Sequence, residues 1–181
     1  ERDQVVADRT VAKNQLHAEL AEAEPGKSSV DRIKKKISFF DKQEKEIMTE
    51  LKAVMSVDDD LKRLVALICT IPGVGLLTAI IVLAETNGFE LIRNKRQLVS
   101  YAGLDVREKQ SGTSVRGKPR ISKKGNRFLR KAMHFPALSA ISHDEKYKAI
   151  FARLVSKHGI KMKAAVCVQR KMLEMIYTVF K

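Results

Sequence analysis

The sequence predicts an all-α protein, with an N-terminal helical hairpin or coiled coil followed by a compact helical domain. Apolar residues recur at spacings of three and four along most of the chain, and no stretch alternates as a half-buried strand does. Proline and glycine fall where helices would end. At 181 residues the chain can hold one well-cored domain and an appendage. We assign residues 1–57 to the appendage and residues 58–181 to the domain.

The first predicted helix covers residues 3–24 and ends at Pro25-Gly26. Proline cannot continue a helix, and glycine suits the left-handed conformation of a helix C-cap. Ser28 or Ser29 is then expected to cap a second helix, because a serine hydroxyl accepts a hydrogen bond from an N–H of the first turn. These signals predict two antiparallel helices joined by a short turn.

The second helix carries a heptad seam with a single polar member, Glu44. Its members step alternately by three and four and are Val30, Ile33, Ile37, Phe40, Glu44, Ile47, Leu51 and Val54. We expect this narrow seam to mediate self-association or to space domains. The alternative is that the hairpin packs back on the domain core.

The domain begins with the acidic triplet 58–60, which is expected to cap a helix that runs through Ile68. A divalent cation at this triplet is the alternative. Further helices are predicted over residues 76–85 and 95–101, and Gly103 is expected to end the second of these.

Three helices are predicted after residue 126. Asn126 is expected to cap the first, which Pro136 kinks or ends. The second covers residues 144–157 and stops at Gly159. The last covers residues 161–180, and its inward residues are expected to be Met162, Ala165, Val166, Met172, Leu173, Ile176 and Phe180.

Positive charge is concentrated in the second part of the chain. The formal net charge is +14, yet residues 1–60 hold 11 Lys/Arg against 14 Asp/Glu, whereas residues 61–181 hold 24 against 7. This excess indicates a polyanionic partner. Nucleic acid fits better than a membrane, because the chain has no tryptophan and few aromatic residues. We expect neither a signal peptide nor a membrane span.

The segment Ile71-Pro72-Gly73-Val74-Gly75 resembles the helix-hairpin-helix motif of DNA-binding proteins. Its glycines would let a phosphate approach the backbone, and free N–H groups at the start of the next helix would attract the phosphate charge. Ile71 and Val74 would hold the hairpin to the core. Such contacts grip the DNA backbone and do not read base sequence. A tight turn between two helices, without a ligand, is the alternative.

Residues 107–131 are strongly basic, and Glu108 is their only acidic residue. No apolar periodicity runs through residues 107–118, which predicts an exposed loop. Its basic residues, expected to contact DNA or RNA phosphates, are Arg107, Lys109, Arg116, Lys118, Arg120, Lys123, Lys124, Arg127, Arg130 and Lys131. A solvated, disordered loop without a ligand is the alternative.

Ser111 is the candidate nucleophile of this loop, because the glycine that follows lets the chain bend and expose the hydroxyl. Arg107 or Arg116 could stabilise the charge that develops when a hydroxyl attacks a phosphodiester. Such a serine also needs a base or a metal, and none is evident nearby. Ser114 is a weaker candidate, and Ser122 is expected to bond to local backbone.

Other residue types carry little functional signal. Cys69 and Cys167 lie far apart in apolar surroundings, so we expect buried free thiols in a reducing compartment rather than a disulfide. The four histidines do not cluster with cysteines or carboxylates at ligand spacing, so no metal site is expected from them.

Four segments, in order, carry a family resemblance: IPGVGLLTAIIVLAE, QLVSYAGLDV, SGTSVRGKPRISKKGNRFLRKA and KAAVCVQRKMLEMIYTVF. Together they are similar to the C-terminal part of the DEDD-type insertion-sequence transposases of the IS110 type, which are relatives of the Piv invertase. The resemblance covers residues 61–181. The heptad segment resembles the coiled coil that joins the two catalytic halves of this family. Pro136 departs from the helix-favouring residue usual at its place, which we interpret as a local kink.

The resemblance implies a DNA recombinase that excises and inserts its element, guided in many members by a bridge RNA. It implies that Ser111 attacks DNA and forms a covalent phosphoserine link. It also implies a RuvC-like half with four acidic residues and a divalent metal, expected to be Mg²⁺, outside this chain. The chain begins with Glu1 rather than Met, so we expect a piece of a longer protein that is inactive alone.

The implied partners are DNA, bridge RNA and further copies of the chain. The implied location is the cytoplasm of a bacterium or archaeon, at the nucleoid when on DNA. Two other hypotheses stay open. One is a non-catalytic helix-hairpin-helix module that binds nucleic acid and oligomerises through its arm. The other is a scaffold that binds RNA through the basic loop.

Overall fold

The computed structural model describes residues 1–90, 92–107, 110–111, 115–116 and 120–181, and only the backbone of residues 110, 111, 115 and 116. Most of these residues are helical, which confirms the predicted all-α class. Contacts divide the chain into two compact units, Glu1–Lys62 and Arg63–Lys181. No helix of the described part is long and apolar enough to cross a membrane.

The first unit is an antiparallel helical hairpin of α1, Arg2–Leu20, and α2, Lys27–Val57. Gly26 was expected as a left-handed C-cap, but its φ is −70° and it is the N-cap of α2. The two expected capping serines therefore lie inside the first turn of α2, which has no side-chain cap. An extended glycine, Gly26, already fills the N-cap position two residues before Ser28, so a serine cap is not needed.

Glu44, the polar member of the seam, is paired across the hairpin. Its carboxylate oxygens lie 2.7 Å from Arg2 Nη2 and 2.5 Å from Arg9 Nη1. The hydrogen bond from Arg9 to Asp41, at 2.7 Å, raises the pKa of that guanidinium above its ordinary value. Val54, by contrast, is 66 % exposed.

Three helices follow: α3, Asp59–Ile68, which contains the boundary between the two units; α4, Leu76–Glu85; and α5, Lys95–Tyr101. Asp58 Oδ1 accepts hydrogen bonds from the backbone N–H groups of Asp60 and Leu61 at 3.0 and 2.9 Å, so capping is what the acidic triplet does. Asn94 caps α5 by accepting from Gln97 N at 2.9 Å. Gly103 follows α5 with φ +64°, as predicted.

Two short antiparallel strand pairs occupy the basic loop, where no strand was predicted. β1, Val106–Arg107, pairs with β4, Arg120–Ile121. β2, Gln110–Ser111, pairs with β3, Val115–Arg116. The expectation of an irregular loop is thus corrected. Each strand is only two residues long, and β1 is exposed. The sequence therefore has no alternation of apolar and polar residues that would predict these strands.

Four helices complete the unit: α6, Arg127–Ala132; α7, His134–His143; α8, Glu145–His158; and α9, Lys161–Phe180. Asn126 caps α6 by accepting from Phe128 N and Leu129 N at 2.8 and 2.9 Å. Pro136 lies in the first turn of α7, just after the break between α6 and α7, as predicted. Gly159, with φ +70°, ends α8.

The core of the second unit lies against α9, which packs on α5, α7 and α8. Its central residues, Met172, Leu173 and Ile176, are fully buried. Met162 was predicted to point inward but is 61 % exposed. It lies in the first turn of α9, beyond the length that neighbouring helices cover, whereas Tyr177 at the other end is buried.

Candidate nucleic-acid interface

The hairpin between α3 and α4 is held to the core as predicted. Ile71 and Val74 are each 5 % exposed, and Val74 N donates to Ile71 O at 3.0 Å to close the turn. Gly73 has φ +84°, and a Cβ there would collide with the Pro136 carbonyl and lie 3.0 Å from Ala140 N. One side of Gly73 is therefore packed against α7 and has no room for a phosphate.

Gly75 offers the opening that Gly73 does not. It is the extended N-cap of α4, with φ −99° and no side-chain cap, and a Cβ there would meet nothing within 4 Å. The first N–H groups of any α-helix have no intrahelical partner, and they form the positive end of its dipole. An anion can therefore approach the backbone at Gly75. That DNA binds here stays a prediction.

The two ends of the basic loop are joined at its base, which we define as residues 100–107 and 120–126. Across it, Asn126 N donates to Tyr101 O at 2.6 Å, and Lys123 N donates to Gly103 O at 3.1 Å. A Cβ on Gly125 would collide with the backbone of residues 101 and 103. Only glycine lets these segments approach so closely, so the loop base is a fixed platform.

Ser122 and Asp105 form a side-chain bridge across the loop base. Ser122 Oγ donates to Asp105 Oδ1 at 2.5 Å, and Ser122 N donates to Asp105 O at 2.8 Å. The sequence predicted that Ser122 hydrogen-bonds to local backbone. This prediction is wrong for the Ser122 hydroxyl, which donates to a side chain. Its partner lies 17 residues away and is brought close by the pairing of β1 with β4.

Sequence reasoning also missed a junction at the C-terminal end of α4. Asn126 Nδ2 donates to Glu85 Oε2 at 2.5 Å, and Tyr101 OH donates to Glu85 O at 2.9 Å. Asn126 also caps α6, and this capping was the only role of Asn126 that the sequence predicted. Helix α4 therefore has the hairpin at one end and the loop base at the other, about 15 Å apart.

The structure places the predicted basic residues unevenly. Arg107 and Arg120 lie directly opposite each other in the β1–β4 pair, and both are exposed. Like charges directly opposite on a ladder destabilise it unless an anion lies near them. Arg130 is half-buried, and its Nη1 donates a hydrogen bond to Ala102 O at 2.7 Å. One side of its guanidinium is therefore occupied by a contact with the loop base. The other exposed members on the base and on α6 are Lys123, Lys124, Arg127 and Lys131.

Other predicted residues lie outside what the structure describes. Lys109, Lys118 and Ser114 are not among the described residues, and the side chains of Ser111 and Arg116 are not described. The backbone of Ser111 is in β2, opposite Val115. β2 ends at Ser111, and β3 begins at Val115.

A cleft of about 630 Å³ lies beside the hairpin, between α8 and α9. Thr70, Ile71 and Pro72 form one wall. The charged residues that line it are Lys95, Lys146, Lys171, Asp144 and Glu174. Three ammonium groups against two carboxylates leave the cleft weakly positive. Asp144 also caps α8 by accepting from Tyr147 N at 3.0 Å, so its carboxylate is already engaged.

The described residues contain no group of three or more His, Cys, Asp or Glu that could hold a metal ion. Cys69 and Cys167 are free thiols and are half-buried. Partial burial raises the pKa of the Cys69 thiol, because it disfavours the thiolate. This makes Cys69 a weaker nucleophile than an ordinary cysteine.

Comparison with known proteins identifies the domain. The model of the family described as Transposase IS116/IS110/IS902 matches residues 65–152. The pilin gene-inverting protein of Moraxella bovis is 28 % identical over 123 residues, which cover 67 % of this chain and 38 % of that protein. The transposase for insertion sequence element IS1111A of Coxiella burnetii is 31 % identical over 134 residues, covering 71 % and 35 %.

A third relative, the insertion element IS110 43.6 kDa protein of Streptomyces coelicolor, is 27 % identical over 112 residues, which cover 62 % of this chain and 27 % of that protein. The chain thus spans about a third of the length of the curated relatives it matches. The matched residues contain the hairpin, the basic loop and the loop base, in which the predicted site lies. The chain belongs to the IS116/IS110/IS902 family of transposases, as one part of an IS110-type transposase.

Proposed function

We propose that this chain is the C-terminal half of a DNA transposase, and that it binds DNA and supplies Ser111 as the nucleophile for strand cleavage and exchange. The observation that carries the proposal is the fixed loop base beneath a basic strand ladder. That base presents Arg107 opposite Arg120, an arrangement that favours a polyanion. Ser111 lies in β2, the next strand along the chain, which pairs with β3.

The chemistry assigned to Ser111 is a phosphoryl transfer. Its hydroxyl oxygen forms a bond to the phosphorus of a DNA phosphodiester, and the bond from that phosphorus to one strand-terminal oxygen breaks. The hydroxyl proton passes to a base, the leaving oxygen takes up a proton, and a phosphoserine link remains. Nearby guanidinium groups stabilise the negative charge of the transition state. A second transesterification, by a strand hydroxyl, releases the serine.

The divalent metal that the family implies does not fit the described residues, because they contain no ligand cluster. We therefore place Mg²⁺ in the acidic RuvC-like half of the longer protein and assign no step of this chain to it. That half would supply the base that Ser111 lacks. On this proposal the chain alone is inactive.

DNA binding is assigned to two features at opposite ends of α4. The N-terminus of α4 at Gly75 would take one phosphate, and the loop base would take others. Their separation of about 15 Å corresponds to about four phosphates along one strand. The exposed cations Arg107, Arg120 and Lys123 would neutralise phosphates without reading base sequence.

The remaining partners follow from the family and from the first unit. We propose that the α1–α2 hairpin joins copies of the transposase, with exposed apolar residues such as Val54 and Val57 continuing its seam. We propose a bridge RNA as a further partner. A bacterial or archaeal cytoplasm, with the nucleoid as the site of action, is the proposed location.

The test is Ser111→Ala in the full-length transposase, with Ser114→Ala as the matched control. We expect Ser111→Ala to abolish cleavage, exchange and the covalent protein–DNA adduct while DNA affinity stays within about twofold. Mass spectrometry of the adduct should place the phosphate on Ser111. Intact recombination by Ser111→Ala would overturn the catalytic assignment.

A non-catalytic helix-hairpin-helix module is the second candidate, and the open N-terminus of α4 at Gly75 favours it. It predicts salt-sensitive binding that does not depend on Ser111. The adduct assay separates the two candidates, because a module without a nucleophile gives no adduct in any variant.

A further inference from the structure

Two exposed phenylalanines follow the loop base on α6 and α7. Phe128 is 44 % exposed and Phe135 is 75 % exposed, and Leu138 beside them is 39 % exposed. We name these three residues the aromatic face. Large apolar side chains grouped on a charged domain mark an interaction site more often than chance exposure does.

The two rings lie on consecutive short helices that follow the loop base. Met133, in the break between α6 and α7, has φ −80° and ψ −7°. Its N–H donates to Leu129 O at the end of α6, and its carbonyl accepts from Ala137 N at the start of α7. Phe128 lies in the first turn of α6 and Phe135 in the first turn of α7.

Both rings have neighbours that fix or polarise them. The guanidinium carbon of Arg127 lies 5.0 Å from the ring centroid of Phe128, which is a cation–π contact. Phe135 contacts the ring of His134 edge-on at 5.5 Å between centroids. His134 in turn is held by buried Gln169, whose Nε2 lies 2.8 Å from His134 Nδ1. Phe135 stays 75 % exposed and Phe128 44 % exposed.

We propose that Phe128 and Phe135 stack on unpaired nucleobases of the nucleic acid that this domain binds. Aromatic side chains next to cations are how proteins hold single strands, since bases stack on the rings while phosphates meet the charges. Arg127 supplies such a charge against the ring of Phe128. The inference deepens the proposed function and rests on it, because it requires nucleic-acid binding.

Charge argues against a second copy of the chain as the occupant of the aromatic face. Residues 61–181 hold 24 Lys/Arg against 7 Asp/Glu. A symmetric contact through this face would bring Arg127 and Lys131 of both copies together, and like charges repel. A nucleic acid supplies both apolar surface for the rings and negative charge for the cations.

The chain has no tryptophan, so Phe135→Trp introduces a single fluorescent reporter into the aromatic face of the whole chain. The probes are a single-stranded DNA oligonucleotide and an abasic oligonucleotide of the same length and phosphate number. We expect the intact strand to quench the indole and to bind about tenfold or more tighter than the abasic strand. Phe128→Ala and Phe135→Ala should each weaken binding of the intact strand about tenfold and leave abasic binding unchanged. Phe39→Ala, which removes an aromatic residue 56 % exposed on α2, is the matched control and should change neither.

Each other outcome has one meaning. Equal affinity for intact and abasic strands, with no effect of the phenylalanine variants, overturns the stacking proposal and leaves the proposed function standing. Binding of neither single strand, while labelled duplex DNA is still bound, overturns the stacking proposal alone, whereas failure to bind duplex DNA as well overturns both proposals. An indole emission that shifts blue with protein concentration alone, together with dimers in sedimentation, overturns the proposal and makes a second copy the occupant.

Discussion

At the scale of single residues, Gly73 and Gly75 make a matched pair in one hairpin. Gly73→Ala should destabilise the second unit by about 2–4 kcal/mol, because it adds left-handed strain and a collision with the Pro136 carbonyl. Thermal unfolding followed by circular dichroism should show a fall of about 5–10 °C. Gly75→Ala should stay near wild type, since its cost at an N-cap and its gain in chain entropy are similar. Equal midpoints for both variants would contradict the packing of Gly73 on α7.

Side-chain roles could be predicted only where both partners are close in sequence. Asn126 and the acidic triplet that contains Asp58 were predicted to cap helices, because the N–H groups that such caps bond lie two or three residues ahead. The bond from Ser122 to Asp105 could not be predicted, because its partner is set by strand pairing across 17 residues. The same holds for Asn126 with Glu85, which are 41 residues apart.

At the scale of elements, the bridge between β1 and β4 can be tested separately from the fold. Ser122→Ala removes the hydroxyl that donates to Asp105 and leaves a half-buried carboxylate acceptor unsatisfied, at a cost of about 1 kcal/mol. The backbone amides of Ser122 and Lys123 should then exchange with solvent about fivefold faster in hydrogen-exchange measurements. Ser142→Ala is the control, because Ser142 bonds only to its own helix at Leu138 O. Unchanged exchange at both amides would mean that the backbone bonds alone hold the loop base.

Helices were predictable as elements and the strand ladder was not. The bounds of α4, α5 and α9 agree with the sequence because caps, glycines and apolar periods are local signals. Strands of two residues carry no such period, and their pairing depends on closure of the loop base by Gly103 and Gly125. The candidate site could therefore be located from charge and composition. The loop base that supports it could be identified only from the structure.

At the scale of the whole molecule, the division of charge determines where a polyanion binds. Residues 61–181 carry a net charge of +17 (24 Lys/Arg minus 7 Asp/Glu), which exceeds the +14 of the whole chain, because residues 1–60 carry a slight negative excess. If six cations meet phosphates, affinity for DNA should fall about a thousandfold between about 50 and 200 mM salt. Charge and family resemblance were enough to predict this partner from sequence. The sequence could not predict which cations face one another, because Arg107 and Arg120 are brought together only by the register of β1 and β4.

The opposed pair Arg107 and Arg120 gives a test in which binding and stability move in opposite directions. Replacing both by glutamine should reduce the slope of log affinity against log salt by about 2, since two phosphate contacts are lost. It should also leave the free protein as stable as wild type or slightly more stable, because two like charges no longer oppose each other on the ladder. Fluorescence anisotropy with labelled duplex DNA measures the first effect, and urea denaturation measures the second.

The double variant Arg32→Gln, Lys36→Gln is the control, because it removes the same charge from exposed positions of α2. It should leave the slope of log affinity against log salt unchanged. Equal slopes for the two double variants would show that net charge, and not the loop base, governs binding.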